Sequence, residues 1–172
     1  YCATCDGAFF KNKVAAVVGG GDVAVEDAIY LARMCSKVYL IHRRDEFRAA
    51  KSIVNKARNT ENIEFILDST VENIEGGAKV SSIQIKNKKT GEIIEKPVDG
   101  VFFAVGMQPV TAFVDERIAR DEAGYIVAGE DCRTNIDGVY AAGDIRTKTL
   151  RQIITAAADG ANAVTSVERY IG

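Results

Sequence analysis

Along the first seventy residues the apolar positions alternate between two periods. Residues 13–18 hold a short continuous apolar run, Val-Ala-Ala-Val-Val, that ends in glycine, which is the pattern of a buried strand. Over residues 22–34, Val25, Ala28, Ile29 and Ala32 recur near helical spacing, with Tyr30 and Leu31 alongside, and predict a helix. Residues 37–41 read as a second strand, closing a strand–helix–strand unit of about thirty residues, the size of a right-handed crossover. Residues 47–58 predict the next helix and residues 63–67 a third strand.

After that the period shortens. Residues 70–74, 80–86, 92–98 and 101–105 read as strands, and Asn87-Lys88-Lys89-Thr90-Gly91 makes the turn of a hairpin with Ile83, Ile85 and Ile93 alternating across it. The run Val101-Phe102-Phe103-Ala104-Val105 is apolar throughout, so it is expected back in the buried sheet. Gly106-Met107-Gln108-Pro109 breaks the pattern and is the expected linker. Beyond it the reading expects a short helical piece around residues 111–119, strands at 125–127 and 139–142, and a long closing helix over 151–171. The fold class is therefore α/β: a Rossmann-like, doubly wound domain with a small antiparallel meander over residues 1–105, then a second portion over 106–172.

Composition narrows the class only slightly. A net charge of −2 offers no basic excess for nucleic acid or an anionic membrane. No apolar run approaches the ~18 residues of a membrane span, and no basic-then-apolar leader is visible. The chain starts at Tyr1 and its methionines are Met34 and Met107, so a substantial segment is expected ahead of Tyr1.

Candidate chemistry sits at the front. Gly19-Gly20-Gly21-Asp22-Val23-Ala24 fits G-x-G-x-x-A between a strand and a helix, with a second strand at the right distance. The first glycine permits a tight turn, the second lets backbone amides approach a pyrophosphate, and the small Ala24 lets helix and strand pack closely. The phosphates would meet the helix N-terminus, where free N–H groups favour an anion. At the end of the second strand, where an NAD site has an acidic residue, stand His42-Arg43-Arg44, with Arg48 a turn further on. Arginine forks suit a 2′-phosphate, which favours NADP(H) over a merely solvated basic loop that Asp45 and Glu46 would offset.

Cys2-Ala3-Thr4-Cys5 is the second candidate. As half of a zinc site it would need two more ligands, and Cys35, Cys132 and His42 make no second close pair. As a redox pair it closes a very short ring, with Asp6 placed to take or give a proton and Gly7 to turn the backbone. A CxxC in a chain without secretory features suits a reducing, cytoplasmic compartment. Cys35, at a helix end, reads as a small apolar residue, and Cys132 lies in a polar stretch with no evident partner.

These motifs, in this order, resemble bacterial-type (low-molecular-weight) thioredoxin reductase. The likeness is carried by Cys-Ala-Thr-Cys-Asp-Gly, Val-Val-Gly-Gly-Gly-Asp-Val-Ala-Val-Glu, Ile-His-Arg-Arg-Asp-Glu-Phe-Arg-Ala, Gly-Val-Tyr-Ala-Ala-Gly-Asp-Ile and Arg-Gln-Ile-Ile-Thr-Ala-Ala-Ala-Asp-Gly. The resemblance implies a path from NADPH to FAD, to the Cys2/Cys5 disulfide, and on to thioredoxin, with Asp6 as acid/base. It places Gly19 through Glu26, with Val23 among them, at the NADPH pyrophosphate and ribose, and Arg43, Arg44 and Arg48, beside His42, at the 2′-phosphate. It gives Gly143 and Asp144 to the FAD ribityl–phosphate portion and Arg151, Gln152 and Ile153 to the isoalloxazine edge, in a C-terminal FAD-domain portion that starts at about Gly106. It also implies a homodimer. The FAD-binding half with its own glycine fingerprint is not present ahead of Tyr1, so this chain alone is expected to hold flavin poorly and to lack reductase activity. The rival readings are the flavoprotein subunit of an alkyl hydroperoxide reductase and a non-catalytic NADP-binding or redox-switch module.

Overall fold

The computed structural model describes residues 2–172. The chain divides into two compact units, Tyr1–Gly106 and Met107–Gly172, and the division falls inside the stretch read as a linker. In the first unit the elements run α1 (Ala3–Asp6), a 3-10 turn (Gly7–Phe10), β1 (Val14–Gly19), α2 (Asp22–Ala32), β2 (Lys37–Ile41), α3 (Lys51–Arg58), β3 (Ile63–Ile66), β4 (Ser69–Gly76), β5 (Val80–Asn87), β6 (Ile93–Pro97) and β7 (Gly100–Ala104). Four strands form a parallel sheet in the order β3-β2-β1-β7, and the other three form an antiparallel meander, β4-β5-β6.

Strand alternation explains the layering. Ala15, Val17, Val38, Leu40 and Phe102 point to one face, where they pack with Ala24, Val25, Ala28 and Leu31 of α2 and Val54 and Ala57 of α3. Ala16, Tyr39, Ile41 and Val101 point to the other, and there they meet Ile83, Ile85 and Val98 from the meander. The apolar runs read from the sequence are buried on both sides for this reason.

The β1–β7 pairing is fixed at its start by Asp99. Its carboxylate accepts the Val14 N–H at 2.8 Å, and its own N–H donates to the Val14 carbonyl at 2.8 Å. The resulting register sets Ala15 opposite Gly100 and Gly19 opposite Ala104.

Two boundaries differ from expectation. The helix expected from residue 47 begins at Lys51, because the backbone before it is used elsewhere: Arg48 and Ala49 donate to the Gly20 carbonyl and Ala50 donates to Asp22. The segment ahead of β1, left unassigned by periodicity, forms α1 and the 3-10 turn.

The second unit contains α4 (Ile153–Ile171), entered through a reciprocal cap between Gln152 and Thr155. The helical piece expected around 111–119 and the strands expected at 125–127 and 139–142 do not form. Only isolated bridges occur there, Arg120 with Ile126, Ile126 with Arg146, and Arg133 with Tyr140. Scattered backbone pairs, such as Ile126 N–H to the Ile145 carbonyl and Ala141 N–H to the Cys132 carbonyl, are supplemented there by side chains. Asn135 accepts from the Ala119 N–H and donates to the Arg117 carbonyl, while the Asp121 carboxylate accepts from Ala123 and Tyr125.

Beside a small apolar cluster of Ile118, Ile126, Ala128 and Ala141, this unit has a polar centre. Arg146, 1% exposed, holds Asp159 through Nε at 2.8 Å and Nη2 at 2.7 Å. Lys148 reaches the same carboxylate at 2.7 Å, and Gly143 donates its N–H to it at 2.8 Å. The Arg146 guanidinium, ahead of the other donors, holds the Asp159 carboxyl far below the usual carboxylate range. Cys132, which had no evident partner in the sequence, is buried and directs its thiol to the Asp159 carbonyl at 3.3 Å.

Candidate functional site

At the C-terminal end of the parallel sheet, where β1 turns into α2, a cleft of about 260 Å³ opens. It is lined by Gly19, Gly20, His42, Arg43, Arg44 and Arg48, together with Ser69, Thr70, Val71 and Phe103 to Val105. The position is the crevice expected of a doubly wound sheet: β2 lies on one side of β1 and β7 on the other.

The three glycines play different parts. A Cβ on Gly19 would run into the Ala104 carbonyl and lie 2.6 Å from the Ala24 Cβ, so this glycine and the small Ala24 together let α2 pack onto the sheet. A Cβ on Gly20 would enter the His42 ring. Gly21 has open space in front of it, at the N-cap of α2. None of the three has a positive φ. Close approach requires the first two, and only Gly21 leaves room for a ligand against bare backbone.

The basic loop is clamped to the glycine loop. The Gly20 carbonyl accepts the Arg48 N–H at 2.8 Å and the Ala49 N–H at 3.2 Å, and the Asp22 carboxylate accepts the Ala50 N–H at 2.8 Å. Asp22 therefore positions the loop. Val23 and Glu26 are exposed on α2 and do not line the cleft.

His42 is buried, stacks on Phe47 with ring centroids 5.1 Å apart, and leaves its Nε2 without a partner. Burial lowers its pKa, and the charges of Arg43, Arg44 and Arg48 add to that against a hydrogen bond with the Glu46 backbone, so the ring is neutral at pH 7. The three arginines are exposed, and among the described residues none of them forms an ion pair. Asp45, which could have offset them, pairs with Lys89. Gly21, Asp22 and Ala24 do not line the cleft, but Gly20 does, next to the bare start of α2; with an orphaned buried nitrogen and three unengaged guanidinium groups this fits a phosphorylated dinucleotide.

Sequence reasoning missed the lining supplied by Ser69 to Val71 and by Phe103 and Val105. The two apolar side chains are 53% and 67% exposed at the end of an otherwise buried strand. An apolar run that outlasts its strand was the available signal.

Cys2 and Cys5 form a disulfide around the single turn of α1, and the Cys5 N–H donates to the Cys2 sulfur at 3.2 Å. Asp6 follows directly, half-buried. Gly7 is in ordinary helical conformation, not a special turn. A Cβ there would crowd Leu31 and Tyr30, each at 3.1 Å, and meet the Met34 sulfur at 3.4 Å. The sulfur-bearing turn thus packs on the end of α2 remote from the glycine loop.

In the second unit, Asp144 and Arg151 line a separate pocket of about 300 Å³ with Met107 to Val110, Tyr125 and Ile145. The Arg151 guanidinium lies 3.9 Å from the Tyr125 ring centroid. Gly143 has φ +85° with its N–H on Asp159. Gln152 caps α4, and Ile153, 92% exposed, lies outside this pocket. Gly106, with φ +104°, closes the first unit.

The family model for pyridine nucleotide-disulphide oxidoreductases matches residues 1–160. The chain belongs to this family. Among curated members it is 47% identical to the thioredoxin reductase of Peptoclostridium acidaminophilum, a match covering 99% of this chain and 56% of that protein. It is 49% identical to the thioredoxin reductase of Listeria innocua, covering 99% of this chain and 54% of the relative. A crystal structure of thioredoxin reductase from Streptococcus pyogenes superposes with a TM-score of 0.92 at 47% identity, over 99% of this chain and 56% of that one. The chain spans about half the length of the curated relatives it matches. The α/β class and the antiparallel insert are those of the family fold. Among the described residues no helix is long and apolar enough to cross a membrane.

Proposed function

We propose that the chain supplies the NADP(H)-binding and disulfide portion of a thioredoxin-disulfide reductase, in which electrons pass from NADPH through FAD to Cys2–Cys5 and on to thioredoxin. One observation carries the reading: the cleft that joins three unpaired arginines to the unpartnered Nε2 of His42 lies in the same compact unit as a CxxC disulfide. The 2′-phosphate seats against Arg43, Arg44 and Arg48, whose planar forks match phosphate oxygens. The pyrophosphate lies across Gly20 and Gly21 at the start of α2, where unsatisfied N–H groups favour an anion. An acidic side chain at the end of β2, as an unphosphorylated coenzyme would call for, is replaced here by His42.

At the sulfurs the balance is simple. Two electrons and two protons convert the disulfide to two thiols, and Asp6 exchanges one of those protons with Cys5 or Cys2. One thiolate then attacks the disulfide of thioredoxin, and the other resolves the mixed disulfide, leaving thioredoxin reduced and Cys2–Cys5 oxidised again. Bound FAD would supply the two-electron relay between nicotinamide and disulfide. Gly143, Asp144, Arg151, Gln152 and Ile153 would hold one edge of it, and the Asp144–Arg151 pocket is the feature that fits such a role. A cytoplasmic homodimer belongs to the same reading.

Calorimetric titration of the purified chain with NADPH and NADH tests it. Roughly tenfold or greater preference for NADPH is expected from charge-assisted bonds to the extra phosphate. Equal affinity for the two would reject the assignment.

A further inference from the structure

The tip of the β5–β6 hairpin is bound to the arginine loop by contacts that leave the cleft itself untouched. Lys89 Nζ lies 3.2 Å from the Asp45 carboxylate and 2.9 Å from that of Asp68. The backbone makes the same connection: Lys88 donates its N–H to the Asp68 carbonyl at 2.7 Å, and Asp68 donates its own to the Arg44 carbonyl at 3.2 Å. Asp68 sits between them at φ +52°, a left-handed conformation that aspartate tolerates at a turn.

Asp45 follows Arg44 directly. A carboxylate in that place has two ways to harm a phosphate site, by pairing with one of the arginines or by repelling the phosphate through space. Both are averted here because Asp45 faces the hairpin lysine, whose hydrogen bond also keeps it ionised below its ordinary pKa. The charge needed to hold Asp45 comes from a strand pair more than forty residues downstream, and the backbone bonds at Asp68 fix its distance.

We propose that Lys89 is a positioning residue for coenzyme choice: by holding Asp45 on the hairpin it leaves Arg43, Arg44 and Arg48 available to a 2′-phosphate. The inference rests on the reading of the cleft as an NADP(H) site. Lys89 does not touch the coenzyme, so its effect falls on the phosphate-dependent part of binding alone.

The test uses the whole 172-residue chain and two small probes, 2′,5′-ADP, which carries the extra phosphate, and 5′-AMP, which lacks it. Lys89→Met is expected to weaken 2′,5′-ADP roughly three- to tenfold at low ionic strength, less as salt screens the charges, and to leave 5′-AMP unchanged. Asp45→Asn alone is expected to bind both probes as the wild type does, and Asp45→Asn added to Lys89→Met is expected to restore 2′,5′-ADP binding. Equal weakening of both probes by Lys89→Met would show a merely structural lysine, and failure of the double variant to recover would show that Lys89 does not act through Asp45; either result overturns the proposal. If the unaltered chain does not prefer 2′,5′-ADP over 5′-AMP, the NADP(H) reading itself has failed, whatever Lys89 does.

Discussion

The imidazole of His42 fills the space that a side chain on Gly20 would need. One residue thus forces the glycine and at the same time presents an unpartnered nitrogen beside the bare loop. Gly20→Ala is therefore expected to displace the ring and to cost about 1–3 kcal/mol of stability, as overpacking does. Gly21→Ala, facing open space at φ −94°, should keep stability within about 0.5 kcal/mol yet weaken NADPH, because its methyl stands where the phosphate approaches. Denaturant melts paired with nucleotide titration separate the two; a stable, fully binding Gly20→Ala would contradict the packing account.

Removing a guanidinium should act on the phosphorylated coenzyme only. Arg43→Ala or Arg44→Ala is expected to lose about 1.5–3 kcal/mol of NADPH binding, the range for hydrogen bonds to charged groups, with NADH little changed. Competition between the two coenzymes would reveal this directly. Parallel loss of both would place the arginines in the fold and not at the phosphate.

The four cysteines should divide two and two. Cys35 and Cys132 are buried, and burial, before any nearby charge, raises the pKa of both thiols. After mild reduction, native protein should take two alkyl groups, at Cys2 and Cys5, and denatured protein four. Peptide mass spectrometry checks the sites. Rapid native labelling at Cys132 would mean that its contact with Asp159 opens readily.

Asp159→Ala should destabilise the second unit by about 3–5 kcal/mol, since it leaves the buried Lys148 without its carboxylate and Arg146 with only the exposed Glu130. The carboxyl is depressed in the folded state. Its contribution is therefore fully present above the unfolded value near 3.8 and lost as pH falls below that, toward the lower folded value. An acid titration followed by circular dichroism should show the wild-type chain losing stability below about pH 4, and the variant losing less over that range. Identical acid profiles would remove Asp159 from the account.

A visible spectrum addresses flavin. The 172 residues contain one glycine fingerprint, already placed at the cleft, so purified chain is expected without a flavin band and without NADPH-driven reduction of a disulfide dye. A yellow, active preparation would refute that expectation.

The first unit was legible wherever burial imposes a period. Val14 to Val18 and Val38 to Ile41 show as unbroken apolar runs because helices cover one face and the meander the other. The glycine loop and the arginine cluster were legible for a different reason, since each needs particular residue types at fixed offsets from strand ends. The late start of α3 was not legible, because Arg48 to Ala50 give their N–H groups to partners nearly thirty residues upstream. In the second unit the expected strands shrink to isolated bridges, where Asp121 and Thr134 bond the backbone locally and Asn135 reaches back to Arg117 and Ala119. Likewise the Arg146–Asp159 pair has no sequence period at all: polar residues at such spacing read as surface until the chain brings them together.

The two bonds between Asp99 and Val14 lie about 17 Å from the cleft, five strand residues away at the rise of a β-strand. Slipping β7 by one residue there would bring Phe103 or Val105 abreast of Gly19 in place of Ala104, and turn the strand's faces inside out. The mouth of the cleft is thus gauged from the opposite rim of the sheet, by a carboxylate that does not line it.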